Sequence, residues 1–266
     1  MRSLARILTF ALFSGVLAGV APPLLAQEQP NHSEHAPFDY NVEVVKKLSE
    51  ESDPDVAFLA RLKMMQGHLN AAIYAVGNGD LAEARQHIEH PAMEILPDIL
   101  SVLRKRNLKD PSPALNVILD MLRDGTPEET ETALYDAIVE ISTLEHSIDP
   151  AKIVINGIVA DTAVLLLRTA VIEYDQAFKN GEIVEIVEYH DGAEFVTEAA
   201  TLIRDAKFEW MTQNSAAYDK LELSLTELQT AWPSKIPPAK SVIPLTRMLE
   251  LVTTIELQVN TIRAGA

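Results

Sequence analysis

Apolar positions along this chain recur at three- and four-residue spacing almost throughout, a period that predicts helices. Phe58, Leu62, Met65, Leu69, Ala72 and Val76 form one seam. Val164, Leu167, Val171, Tyr174 and Phe178 form a second, and Ile186, Tyr189, Ala193, Val196, Ala200 and Ile203 a third. No stretch carries convincing strand alternation. Start signals recur at Asp53-Pro54, Asp80 with Glu83, Thr126-Pro127 with Glu129, and Asp149-Pro150. Each sets a side-chain acceptor at the N-cap, with proline at the first helical position or an acid three residues on. Stop signals stand at Gly77-Asn78-Gly79, Asp124-Gly125 and Asn180-Gly181.

These signals predict helices over 41–51, 54–76, 81–106, 113–123, 127–147, 150–179, 182–213, 215–231 and 241–263. Residues 232–238 hold three prolines and read as a rigid linker between late helices. The expected fold class is all-α, an antiparallel helical bundle built from long hairpins. Two hairpins look alike, 54–76 with 81–106 and 150–179 with 182–213. Each outgoing helix carries a histidine followed four residues later by a glutamate, His90/Glu94 and His190/Glu194. The likeness suggests two similar halves, 41–125 and 126–266, within one helical domain over 41–266.

The N-terminus departs from this pattern. Arg2 and Arg6 precede an apolar run over 7–21, and Ala26 stands before polar Gln27. Residues 1–26 therefore read as a signal peptide, too short in its apolar part for a preferred membrane span. Residues 27–40, with His32 and His35, read as a flexible arm. The expected location is the periplasm, with no membrane span after signal cleavage.

Composition narrows the chemistry. The 266 residues carry 39 acids against 22 bases, a net charge of −17. Such a balance argues against a nucleic-acid partner, because phosphate contacts need lysine and arginine. The signal holds two of the bases and no acid, so the mature chain reaches −19. There is no cysteine. Disulfides, thiolate metal sites and cysteine nucleophiles are thereby excluded, and any metal site must use imidazole, carboxylate or thioether. No nucleophile motif, glycine-rich phosphate loop or zincin motif is present, so no enzyme is expected.

Histidines supply the candidate chemistry. On one helix, His87, His90, Glu94 and Asp98 fall at spacings that form one polar stripe. About the turn near residues 78 and 79, antiparallel pairing sets His68 opposite residue 89, between His87 and His90. Three imidazoles and a carboxylate then meet at one level of the hairpin, a set that suits iron, copper or zinc. Pro91 is expected to kink the helix there. The second hairpin is acidic. Between Glu173 and Glu198 stand eight acids and one base, Lys179. Glu173, Glu188, His190 and Glu194 form a second candidate set for a hard cation or iron. The candidate metal ligands are thus His68, His87, His90, Glu94, His190 and Glu194. A solvated acidic face is the plain structural reading of the same stretch.

A resemblance rests on Leu165-Leu166-Leu167, Glu173-Tyr174, Ala177, Asn180-Gly181-Glu182-Ile183-Val184, Glu188-Tyr189-His190 and Glu194-Phe195. This stretch resembles the extracytoplasmic helical region of bacterial Ftr-type iron permeases, over about forty residues. The permease membrane helices and their Arg-Glu-x-x-Glu motifs are missing. The exported helical layout is also similar to imelysin-like periplasmic proteins, although their G-x-H-x-x-E motif is not present as such. The resemblance implies association with iron or another transition metal, and a membrane metal permease or another periplasmic protein as partner.

Three functions remain open on these residues. One is an exported protein that binds a transition metal through the His/Glu cluster in metal uptake or handling. Another is a non-enzymatic interaction module that docks a basic partner on its acidic face. The third is a b-type haem bundle with histidine and Met64, Met65 or Met93 as axial ligands.

Overall fold

The computed structural model of the chain describes residues 52–149, Lys152 and residues 157–264. The expected signal at 1–26, the arm at 27–40 and the helix at 41–51 lie outside the described residues. So does most of 150–156, where another helix is expected to begin.

The capping signals act as their chemistry dictates. Helix α1 (Pro54–Gly77) begins where the Asp53 carboxylate accepts the Asp55 N–H at 2.8 Å. Helix α2 (Leu81–His90) begins where Asp80 accepts the Glu83 N–H at 3.0 Å. The single helix expected over 81–106 is interrupted. After α2 comes a π-helical turn, Pro91–Ile95, and then α3 (Leu96–Arg106). Pro91 has no N–H to give, and the Leu96 N–H reaches back to the Pro91 carbonyl, five residues away. Helix α4 (Ser112–Asp124) leads into α5 (Pro127–Glu145). A reciprocal box opens α5: Thr126 Oγ1 accepts the Glu129 N–H at 3.2 Å, and Glu129 accepts the Thr126 N–H at 2.9 Å.

The described chain from Ile158 onward is a four-helix arrangement of α6 (Ile158–Ala177), α7 (Ile186–Asp205), α8 (Lys207–Gln229) and α9 (Leu245–Ala264). Here the structure corrects two expectations. Continuous helix does not reach Asn180-Gly181 from either side. Instead a short antiparallel pair, β1 (Phe178–Lys179) and β2 (Glu182–Ile183), joins α6 to α7. Asn180 and Gly181 both adopt positive φ, 55° and 76°, as a two-residue hairpin turn requires. The break expected between 213 and 215 survives only as a kink inside α8. Asn214 has φ −158° and ψ 90°, and its side chain accepts the Ala217 N–H at 3.1 Å. The chain reverses earlier, at Ala206, where no glycine or proline marks the turn.

Two apolar cores divide the described residues. One gathers buried side chains from Val56 to Ile158, the other from Val159 to Ile262. Helix α1 belongs to the first core and also packs on α6 and α7 of the second. The proline-rich segment after α8, expected as a rigid linker, is also a strap across α7. The Trp232 Nε1–H donates to the Tyr189 carbonyl at 2.9 Å, and the Tyr189 hydroxyl donates to the Ser234 carbonyl at 2.8 Å. The all-α class holds, and no helix among the described residues is long and apolar enough to cross a membrane.

The Thr126 box predicts a measurable cost. Thr126→Ala should lower stability by about 1 kcal/mol with an unchanged urea m-value. An unchanged urea midpoint would show that the box contributes nothing to α5.

Candidate metal centre

Where α1 crosses α7, two helices come unusually close, and a glycine makes this feasible. A Cβ on Gly67 would stand 2.9 Å from the Phe195 ring and 3.4 Å from Glu194 Cβ. The next residue, His68, therefore reaches α7, where its ring meets the Phe195 ring edge-on at 5.1 Å between centroids. Helix α2 delivers His87 and His90 to the same place, and α7 delivers Asp191.

Asp191 is the focus. It is fully buried, as is His87. His68 Nδ1 and His87 Nδ1 both lie 2.8 Å from its Oδ1. His90 Nδ1 faces its other oxygen, Oδ2, at 3.3 Å. The second nitrogen of His87 turns to Glu83, at 3.4 Å. Glu83 in turn stands 2.6 Å from His190 Nδ1, and the His190 Nε2–H donates to the Lys235 carbonyl at 2.6 Å. Among the described residues three groups of ligating atoms result, each mutually within 4.8 Å: His68, His87 and Asp191; Glu83, His87 and His190; His90, Glu188 and Asp191.

The electrostatics follow from burial set against pairing. Burial alone would raise the Asp191 carboxyl, but His68 and His87 outweigh it and hold it well below the usual carboxylate range. Burial would likewise lower His87, yet Asp191 and Glu83 push it up to about 9. Burial opposes Glu83 ionisation as well, but hydrogen bonds from His190 and His87 bring it down to about 2. At His68 burial prevails over Asp191, and its value is lowered. Glu173 is also buried, and burial with the nearby charges of Glu188 and Asp191 raises it well above the usual range.

Of the six expected ligands, His68, His87 and His90 come together as the hairpin register requires. His190 joins His87 through Glu83. Glu94 and Glu194 stand in none of the three groups. Glu194 is paired with the Lys235 ammonium instead. Beyond Pro91 the π turn inserts one residue into the helical repeat, rotating the following face by about 100°. Glu94, within the turn, still acts electrostatically on His90 and Glu173, whereas Asp98, beyond it, meets Arg61 at 3.1 Å. Asp191 and Glu83 were absent from the expected ligands. Asp191 stands beside His190, so a signal existed, but helix spacing within one hairpin does not reveal a contact between hairpins. Among the thioethers, Met65 lies in the first core and Met93 is exposed.

Residues 156–264 match the family model described as the iron permease-associated 4-helix bundle domain. The match spans α6 to α9 and contains the whole stretch on which the iron-permease resemblance rests. Comparison with curated proteins finds no match, and comparison with solved structures finds none. Asp191, Glu188 and Glu173 lie inside the matched segment, while His68, Glu83, His87 and His90 precede it.

The His87 pairings carry a pH prediction for the metal-free protein. Its folded-state value lies above the ordinary 6.5, so its protonation stabilises the fold fully below 6.5. That contribution, on the order of 3 kcal/mol, is lost as pH rises through about 9. Urea unfolding of chelator-treated protein should therefore show lower stability at pH 10 than at pH 6.5, with a smaller fall in His87→Gln. An equal fall in both would disprove the assignment to His87.

Proposed function

We propose that the protein is an exported, non-enzymatic binder of a transition-metal ion, with iron the leading candidate, and that it serves iron uptake beside a membrane permease. The observation that carries this reading is the convergence of two imidazole nitrogens on one oxygen of a buried carboxylate, each at 2.8 Å. A cation seated among them would take two nitrogens and one oxygen, a donor set suited to first-row metals. The iron-permease-associated segment supplies the biological direction. Localisation to the periplasm rests on the expected signal at 1–26.

His87 is already arranged as a ligand. When Nδ1 carries a metal, the Nε2–H remains free to donate to Glu83, which fixes the tautomer and the ring plane. Glu83 is held by His190, and His190 by the Lys235 carbonyl. Glu83 is thus a positioning residue. His190 has the same role one step further out.

Calorimetric titration of chelator-treated protein with Fe(II) without oxygen, and with Zn(II) and Cu(II), tests the reading. Binding should be tighter than millimolar for at least one ion. Asp191→Asn and His68→Ala should weaken it at least tenfold, whereas His146→Ala, at the end of α5, should not. Glu83→Gln should lose roughly 10- to 100-fold in affinity while leaving the ion count unchanged. No binding tighter than millimolar by any of the three ions would overturn the proposal.

A further inference from the structure

The two oxygens of Asp191 face different chemistry. On the Oδ1 side stand His68 and His87, a nitrogen-rich pair. On the Oδ2 side stands His90 at 3.3 Å, and the ligating atoms of His90, Glu188 and Asp191 lie within 4.8 Å of one another. Close to Glu188 is Glu173 on α6, and the two carboxyls oppose each other's ionisation. Glu173 is only 5% exposed, and its Oε2 has no hydrogen-bond partner among the described residues. A buried carboxylate oxygen without a partner is costly, and a cation beside it removes that cost.

The helices distribute these residues in matched pairs. His87 and His90 sit three apart on α2, and Glu188 and Asp191 sit three apart on the facing α7. Residues at this spacing share one helix face, one turn apart. Each helix can therefore serve two adjacent positions about 5 Å apart along its axis.

We infer that the centre holds two metal ions, with Asp191 bridging them through its two oxygens. The first ion is the one proposed above, at His68, His87 and Asp191 Oδ1, and the inference rests on that reading. The second sits at His90, Glu188 and Asp191 Oδ2, with Glu173 completing the carboxylate side. Its donor set is richer in oxygen, so it suits a harder divalent ion such as Fe(II) or Mn(II). The third group, Glu83 with His87 and His190, is not an ion position in this arrangement. Its atoms are engaged in holding His87, and His190 is tied through its other nitrogen to the Lys235 carbonyl.

Metal counting on the full chain tests this. Chelator-treated protein is loaded with Fe(II) without oxygen, separated from free iron and assayed for iron per chain. Wild type should retain two, and both Glu188→Gln and the Glu173→Gln, Glu188→Gln double variant should retain one, with helix content checked by circular dichroism. One iron in wild type overturns the second position and leaves the first standing, and none overturns both. Two irons in every variant overturn the assignment to Glu188 and Glu173. Mn(II) loading needs no variant. At two equivalents, two ions sharing Asp191 should give an exchange-broadened paramagnetic resonance spectrum, whereas the plain six-line signal of isolated ions overturns the bridge.

Discussion

A carboxylate buried to full exclusion of solvent dictates how the rest of this chain must pack. Asp191 ionised and alone in an apolar interior would cost several kcal/mol, more than most single interactions return. The compensation comes from three imidazoles on two other helices, so α1 and α2 must approach α7 at fixed depth. Glycines on both sides of the contact make that approach possible. Gly67 lets α1 lie against Phe195. A Cβ on Gly192, beside Asp191, would stand 2.9 Å from the Trp232 ring and 3.2 Å from the Ala170 carbonyl, so α7 also needs a glycine to meet α6 and the strap. One polar cluster thereby ties two separate apolar cores into one molecule.

The chemistry of the cluster is layered outward from Asp191. The inner nitrogens of His68 and His87 face the carboxylate, and the outer nitrogen of His87 faces Glu83. His190 and the strap carbonyl of Lys235 fix Glu83 from behind. Each layer removes a degree of freedom from the one inside it. A ring held at both nitrogens neither flips nor changes tautomer without breaking a buried hydrogen bond, and such breakage costs roughly 1–3 kcal/mol.

Much of this was legible in the sequence, and the reasons differ by element. The caps at Asp53, Asp80 and Thr126 were readable because a side chain bonds a backbone group only two or three residues away. The meeting of His68 with His87 and His90 was readable because a short turn fixes antiparallel register. Asp98 falls off the expected stripe because a π turn changes the helical repeat, and Pro91 announces a disturbance without specifying which one. The strand pair at 178–183 is too short to produce an alternation. Asp191 escaped because its partners are more than 100 residues away, and no local period encodes which hairpin lies across from which. The iron-permease resemblance reached the correct segment, yet it did not reach the imidazoles on α1 and α2.

That division has a consequence for how such a centre is inherited. The carboxylates at Asp191, Glu188 and Glu173 belong to the family-matched segment, and the imidazoles at His68, His87 and His90 belong to the helices before it. A bundle carrying only the matched segment would keep the oxygen donors and lose these nitrogen donors. On the proposed reading, its preference would shift toward harder ions, since ion choice follows the oxygen-to-nitrogen ratio of the donors. On that reading, chains that share the bundle but differ in the helices attached to it can differ in ion preference with no change inside the bundle itself.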